Sequence, residues 1–295
     1  MILHAAYAVR DSHTSAIVIQ SPDTDVLVLC VSHFTGIGCN ELWFRTGVSD
    51  RQRYIPVHSI QEKLGERLCQ SLPAFHALTG CDSTGSLSRR GKKKPWTTLQ
   101  GSAAHQTTLS LFGQQLNLDE KLAESTEAFI RDLYPKTRRQ TSTMDALRYV
   151  MFCQQRKRKN EALPPTSDSL RQHMKRANYQ TFIWRSSLVA MQDLQSPVGH
   201  GLELEDDCLK PVYMRKDPAP RSLIELTTCN CNRSQCQGNC SCYNSDLSCT
   251  EACLCMADET CKNPHTAVVQ CDSESDEESD DDLEDEEDGD GIGKD

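Results

Sequence analysis

The sequence predicts an α/β layer with parallel strands, then an α-helical region, a small metal-stapled module and an acidic end without a core. Three observations carry that prediction. Apolar β-branched runs alternate with helical patterns over residues 1–98, apolar residues recur at helical spacing across residues 99–210, and nine cysteines crowd into residues 229–261.

Ala16-Ile17-Val18-Ile19 is short, apolar and β-branched, which reads as a buried strand packed on both faces. Pro22 ends it, and Asp23 and Asp25 sit on the turn at its C-terminal end, ahead of a second apolar run, Val26-Leu27-Val28-Leu29. Glu41-Leu42-Trp43-Phe44-Arg45 is the next strand. Residues 57–79 read as helical, interrupted at Gly65 and Pro73 and stopped at Gly80, with Cys81 and Asp82 just beyond.

From about Trp96 the pattern turns helical. Leu118, Leu122, Phe129, Ile130 and Leu133 share one face, closed by Pro135. Met144, Leu147, Val150 and Met151 form another, and Leu170, Met174, Ala177 and Phe182 a third after the breaker Leu163-Pro164-Pro165. Such stripes read as core faces. Pro211, Pro218 and Pro220 mark residues 211–221 as a linker, followed by the cysteine module at 222–264 and a tail at 265–295.

The net charge of −10 conceals two opposed parts, because residues 272–295 hold fifteen Asp or Glu against one Lys and the remainder carries +4. The tail cannot bury a core and reads as disordered. Ser273, Ser275 and Ser279 are each followed by an acid and suit acidophilic kinases. Three roles stand for this tail: a solubiliser, a mimic of nucleic acid toward the basic body, or a ligand for a basic protein partner. The first residues lack the basic end and apolar core of a secretory signal, and no run reaches the roughly 18 apolar residues of a membrane span. The sixteen cysteines are therefore read as thiols or metal ligands in a reducing compartment.

The ligand set is Cys229, Cys231, Cys236, Cys240, Cys242, Cys249, Cys253, Cys255 and Cys261. Three tetrahedral zinc ions need about twelve bonds, which nine thiolates supply if about three of them bridge two metals each. An odd number argues against simple disulfide pairing. Asn230, Ser234, Gly238, Asn239, Ser241, Asn244 and Asp246 are turn formers that offer almost no core, so metal supplies most of the folding free energy.

This array resembles the cysteine-rich CXC repeat of tesmin-type chromatin proteins and, more loosely, the nine-cysteine zinc cluster that precedes SET methyltransferase domains. The resemblance covers about 40 residues and includes the closing Cys261-Lys262-Asn263. Tesmin-type repeats bind DNA through Lys and through a Tyr just before the fourth cysteine. Here Asn232-Arg233-Ser234-Gln235-Cys236-Gln237-Gly238-Asn239-Cys240 has no Tyr, one Arg and a spacing shorter by one. The resemblance implies zinc binding; a purely structural module and a DNA-binding one both stand.

Asp23, Asp25 and Asp82 form the other constellation. Carboxylates gathered at the C-terminal edge of a parallel sheet can hold divalent metal for phosphoryl chemistry, and Asp-x-Asp at a turn can equally be a helix cap. Ser21-Pro22-Asp23-Thr24-Asp25-Val26-Leu27 and Leu78-Thr79-Gly80-Cys81-Asp82 resemble, in the same order, two elements of the flap-endonuclease branch of PIN-like nucleases. Arg89-Arg90-Gly91-Lys92-Lys93-Lys94 stands where that branch has a duplex-backbone-binding turn, which implies nucleic-acid binding by Arg89, Arg90, Lys92, Lys93 and Lys94. Residues 15–271 as a whole, with Leu163-Pro164-Pro165 and Arg176-Ala177-Asn178-Tyr179, resemble an uncharacterised, transposon-associated animal family.

Flap-type nucleases take further carboxylates from an earlier strand and an acidic helix. Met1-Ile2-Leu3-His4-Ala5 reads as the tail of that helix, so residues 1–98 are expected to be the C-terminal half of a PIN-like domain, with Mg²⁺ or Mn²⁺ expected in a fuller relative. Arg156-Lys157-Arg158-Lys159 reads as a nuclear import signal, a nucleic-acid contact or a solvated helix end. His4, His33, His58, His76, His105 and His173 show no ligand spacing and are assigned no chemistry. The resulting expectation is a nuclear, nuclease-like, zinc-binding protein that interacts with nucleic acid, DNA before RNA, and is catalytically incomplete. A non-catalytic zinc adaptor for protein partners is the rival.

Overall fold

The computed structural model describes residues 1–135, 141–154, 163–217, 228–231, 236–237, 240–244, 247–250, 253–255 and 261–267. The acidic tail, residues 218–221 of the expected linker and Arg156 to Lys159 lie outside the described residues.

The fold is mixed α/β. Helix α1 (Ile2–Ser12) leads to β1 (Ala16–Gln20), α2 (Thr24–Ile37), β2 (Glu41–Thr46) and β3 (Arg53–Pro56). Strands β1 and β2 are parallel, with Ile17 opposite Leu42 and Ile19 opposite Phe44, as a crossover through a helix requires. Strand β3 is antiparallel to β2, so the sheet β1-β2-β3 is mixed rather than wholly parallel. The connection from β2 to β3 is too short for a crossover. It turns at Gly47, whose φ of +85° and closeness to the Arg51 carbonyl leave no room for a Cβ.

The expectation that β1 is buried on both faces is corrected here. Strand β1 is an edge, Val18 is 55% exposed, and only the face bearing Ile19 and the half-buried Ile17 meets a core. β-branched composition marks a strand, not the number of layers that cover it.

Helices α3 (Val57–Leu64) and α4 (Glu66–Thr79) are separated at Gly65, where φ is +76°. Pro73, expected to interrupt, lies inside α4 without ending it. The reason is packing: α4 is buried at Ser71 and from Pro73 to Thr79, against α2 on one side and α6 and α9 on the other. It is shared by two cores. One gathers Ile2, Ile19, Cys30, Val31, Leu42, Phe44, Val57 and Cys69 around the sheet. The other joins Ala74, Ala77 and Leu78 to α5 (Lys93–Gln100), α6 (Ala103–Ser110), α7 (Glu120–Arg131), α8 (Met144–Gln154) and α9 (Ser167–Arg185). Each fully buried Leu, Phe or Met there contributes roughly 1.5–3 kcal/mol.

The helical stripes fall largely as expected. Phe129, Ile130, Leu133, Met144, Leu147, Met151, Leu170, Met174 and Ala177 are buried, and α7 and α9 are capped by Asp119 and Thr166. Helix α9 also buries polar groups that the stripe does not include. Among them, His173 Nε2 meets the Leu78 carbonyl at 2.9 Å. Asn178 Oδ1 accepts from the Gly113 amide at 2.8 Å, and its Nδ2 donates to the carbonyls of Gln115 and Leu116 at 3.0 and 2.9 Å.

A hairpin absent from the sequence reading follows: β4 (Leu202–Glu205) and β5 (Cys208–Pro211), turning at Asp206 and Asp207 with φ of +51° and +58°. It docks on α9, because Arg176 donates to the carbonyls of Gly201 and Val212, and the amides of Arg215 and Lys216 donate to Asp168. Residues 211–217 are thus anchored along α9 at Val212, Arg215 and Lys216 rather than free as a linker. Two one-turn helices, α10 (Ser241–Asn244) and α11 (Pro264–Ala267), lie in the cysteine region.

Asn178 is 1% exposed and holds the loop between α6 and α7 by three backbone bonds. Asn178→Ala leaves those groups without partners, and its denaturant midpoint should correspond to a loss of about 2–4 kcal/mol. A loss below about 0.5 kcal/mol would show that water satisfies the loop instead.

Candidate functional site

The first site lies where β1 ends, α2 begins and α4 stops. Pro22 closes β1, and Asp23, in extended conformation, caps α2 by accepting from the Asp25 amide at 2.8 Å. Asp25 turns inward. Its Oδ1 lies 2.7 Å from Nε2 of His76, a residue 7% exposed near the end of α4. On the opposite edge of the imidazole, Lys92 Nζ lies 2.8 Å from Nδ1. An ammonium can only donate, so Nδ1 is the acceptor and the ring proton on Nε2 goes to Asp25. The result is a chain of carboxylate, neutral imidazole and ammonium.

Packing fixes that imidazole. Trp184 of α9 stacks on it with ring centroids 6.0 Å apart and planes 28° from parallel, and the Trp184 carbonyl is held by His33 Nε2 at 2.9 Å. Burial pushes the His76 pKa below the usual histidine range, the Asp25 hydrogen bond opposes this, and the Lys92 charge adds to it. Desolvation also lowers the Lys92 pKa, against the pull of the nearby Cys81 and Asp25.

Beyond Gly80, whose φ of +109° ends α4, Cys81 and Thr84 pair through their backbones. Thr84 Oγ1 donates to the Ala77 carbonyl at 2.6 Å and Ser83 Oγ to Gln180 at 2.8 Å. Both hydroxyl protons are therefore engaged, and Cys81 Sγ lies 3.1 Å from Thr84 Oγ1 and 3.3 Å from Ser83 Oγ, with one proton to give to either oxygen. Cys81 is thus held at this turn between two hydroxyl groups. Asp82 is exposed on the same turn.

Of the three expected carboxylates, then, Asp23 is a cap, Asp25 a partner of His76, and Asp82 an exposed turn residue. Among the described residues, the groups of three or more ligand atoms within 4.8 Å of one another are all made of cysteine. The expected basic turn divides similarly. Arg90 lies 4.5 Å from the centroid of the Tyr134 ring and Lys92 serves His76, whereas Arg89, Lys93 and Lys94 are exposed. The residue that sequence reasoning missed is His76. Its signal was available only in part: a histidine at a helix end beside an Asp-bearing motif, with no spacing to link them.

The second site is the cysteine cluster. Cys229, Cys236, Cys240, Cys242, Cys249, Cys253 and Cys255 are buried, and Cys231 and Cys261 are half-buried against them. Three overlapping sets of four can each hold a metal ion: Cys229, Cys249, Cys253 and Cys255; Cys229, Cys236, Cys240 and Cys249; and Cys236, Cys249, Cys255 and Cys261. Cys249 belongs to all three. Cys242 joins through a 3.6 Å sulfur contact to Cys253, and Cys231 lies against Cys229 and Cys240. Asn263 ties the end of the module to its middle, donating to Cys249 Sγ at 3.2 Å and to the Leu247 carbonyl at 2.9 Å.

Crowding sets the electrostatics. Desolvation and neighbouring thiols push Cys236, Cys242 and Cys249 well above the usual thiol range and Cys231 up to about 12. At Cys240 burial acts the same way, but the amides of Tyr243 and Cys242 and the thiols of Cys229 and Cys231 outweigh it and bring the group down to about 7. So many thiolates can coexist here only around cations, and metal uptake must expel protons.

No protein-family model matches the chain, and neither does any curated protein or solved structure. Among the described residues no helix is long and apolar enough to cross a membrane.

Because Cys249 serves all three sets while Cys242 serves none of them, the two are unequal. Elemental analysis should find that Cys249→Ser loses at least about one more metal ion per chain than Cys242→Ser. Equal losses would mean that the cluster is organised around a different set of shared sulfurs.

Proposed function

We infer that this is a zinc-stapled protein that interacts with nucleic acid, DNA before RNA, through a nuclease-like half that does not cleave. The observation that carries the reading is the commitment of Asp25 to His76 beside a turn of exposed cations. A two-metal phosphodiesterase must place two divalent cations about 4 Å apart with ligands on both sides of the phosphate. Here Asp23 caps a helix and Asp25 supports an imidazole, while the exposed Lys93 and Lys94 offer positive charge to a phosphate backbone. Such a site favours holding a backbone over hydrolysing it.

Zinc is the metal best suited to the cysteine cluster, since closed sets of thiolates match its tetrahedral preference and soft-ligand chemistry. The resemblances to CXC and PIN-like proteins, and to a transposon-associated family, agree with nucleic-acid work and with the nucleus as its place. A non-catalytic adaptor is the second reading. It is favoured by exposed apolar side chains around the hairpin: Met191 is 90%, Tyr213 72% and Leu194 58% exposed, a surface that suits a protein partner.

The purified full chain should hold about three zinc ions and bind duplex DNA at low salt. With Mg²⁺ or Mn²⁺ it should cut neither flapped nor duplex DNA above background. Cleavage that disappears in Asp25→Asn would overturn the non-cleaving reading. A zinc-loaded chain that leaves duplex DNA unbound would support the adaptor.

A further inference from the structure

Lys92 is out of keeping with the basic turn that carries it. It stands at the N-cap position of α5, on an exposed stretch, yet its ammonium reaches back to the buried His76. A lysine side chain at a surface normally samples many rotamers. This one is held at its tip by a ring that is itself held three ways: by Asp25 at Nε2, by Lys92 at Nδ1 and by Trp184 across its face. The charges facing the imidazole are Asp25 and Asp23 from the start of α2, and Lys92.

The order of groups matters more than their number. A direct Lys92–Asp25 ion pair would cancel the charge. With a neutral imidazole interposed, the ammonium is oriented while remaining separated from the carboxylate, and among the described residues only one of its three protons is used. Two donors and the positive charge remain for an anion. Exposed Lys93 and Lys94 follow in sequence, and no acidic residue lies in the first turn of α5.

We propose that Lys92 is a fixed anchor for one backbone phosphate of nucleic acid, and that His76, supported by Asp25, is the positioning residue that fixes it. The proposal rests on the nucleic-acid reading above and adds to it which cation is pre-organised and by what. Asp25, on this account, serves phosphate binding through His76 instead of ligating a catalytic metal.

The test uses the zinc-loaded full chain and a mixed-sequence DNA duplex, with affinity followed by fluorescence anisotropy across a salt series. Lys92→Met should weaken binding to every sequence and reduce the slope of log affinity against log salt by about one. Lys63→Met removes the same charge from the exposed end of α3 and should leave that slope unchanged. His76→Ala should behave like Lys92→Met although no cation is lost. His76→Gln should restore most of the affinity, because one amide can donate to Asp25 and accept from Lys92 as the imidazole does.

Equal effects of Lys92→Met and Lys63→Met would reduce Lys92 to background charge and overturn the anchor. His76→Gln no better than His76→Ala, with both folded by near-ultraviolet circular dichroism, would overturn the positioning role. If His76→Ala fails to fold, Lys92→Met against Lys63→Met and the His76→Gln affinity still decide. Absence of duplex binding by the parent chain would remove the nucleic-acid reading and this proposal with it, whereas parent binding with unchanged variants removes the proposal alone.

Discussion

Burial of α4 from both sides is the constraint on which the α/β and helical body of this protein depends. Cys69 faces the sheet core and Ala74, Ala77 and Leu78 the helical core, so α4 joins the two packings, and Leu29 of α2 packs against both beside it. That double burial also explains how Pro73 persists within the helix, at a position where an exposed helix would break. Its end is consequently among the best-determined places in the chain. His76 sits there, one helical turn before the Gly80 stop, with an α2 carboxylate on one edge and an indole from α9 across its face.

The cysteine region follows the opposite logic. Its helices α10 and α11 span four residues each, far too short to be stable alone, and its buried cluster consists of sulfur with Tyr243 at the margin. Among the described residues of this region no apolar core stands in for the cohesion that metal would provide. Packing this close suppresses the ionisation of the thiols, so thiolates would form here only with a cation in place of the protons. The chain thus combines a body held by apolar burial with a module built on cysteines that could hold metal.

The α/β class, the helix stops at Gly65 and Gly80, the helical core faces and the clustering of the cysteines were legible from local pattern, because each depends on composition or spacing within a few residues. What pattern could not supply was layer count and long-range pairing. Val18 reads as a core residue and lies on an open edge face. The Leu202-Glu203-Leu204-Glu205 alternation was in plain view, but two adjacent aspartates with positive φ are an unusual hairpin turn, and prolines nearby suggested a linker. Asp23 and Asp25 were recognised as a pair at the right place, yet the first is spent on the backbone two residues on. The second meets a histidine 51 residues away, a contact no local spacing encodes.

The stacking of Trp184 on His76 has a spectroscopic consequence. The chain has three tryptophans, and each lies against a different ring: Trp43 edge-on to His58, Trp96 edge-on to Phe75, and Trp184 parallel to His76. Trp43 and Trp96 are partly open to solvent whereas Trp184 is buried, so its emission belongs at the blue end of the spectrum. A protonated imidazole quenches indole fluorescence far more strongly than a neutral one, so Trp184 emission reports whether the His76 ring is neutral between its two partners. The centre of the carboxylate–imidazole–ammonium chain therefore carries a built-in optical probe of its own protonation, readable without any label.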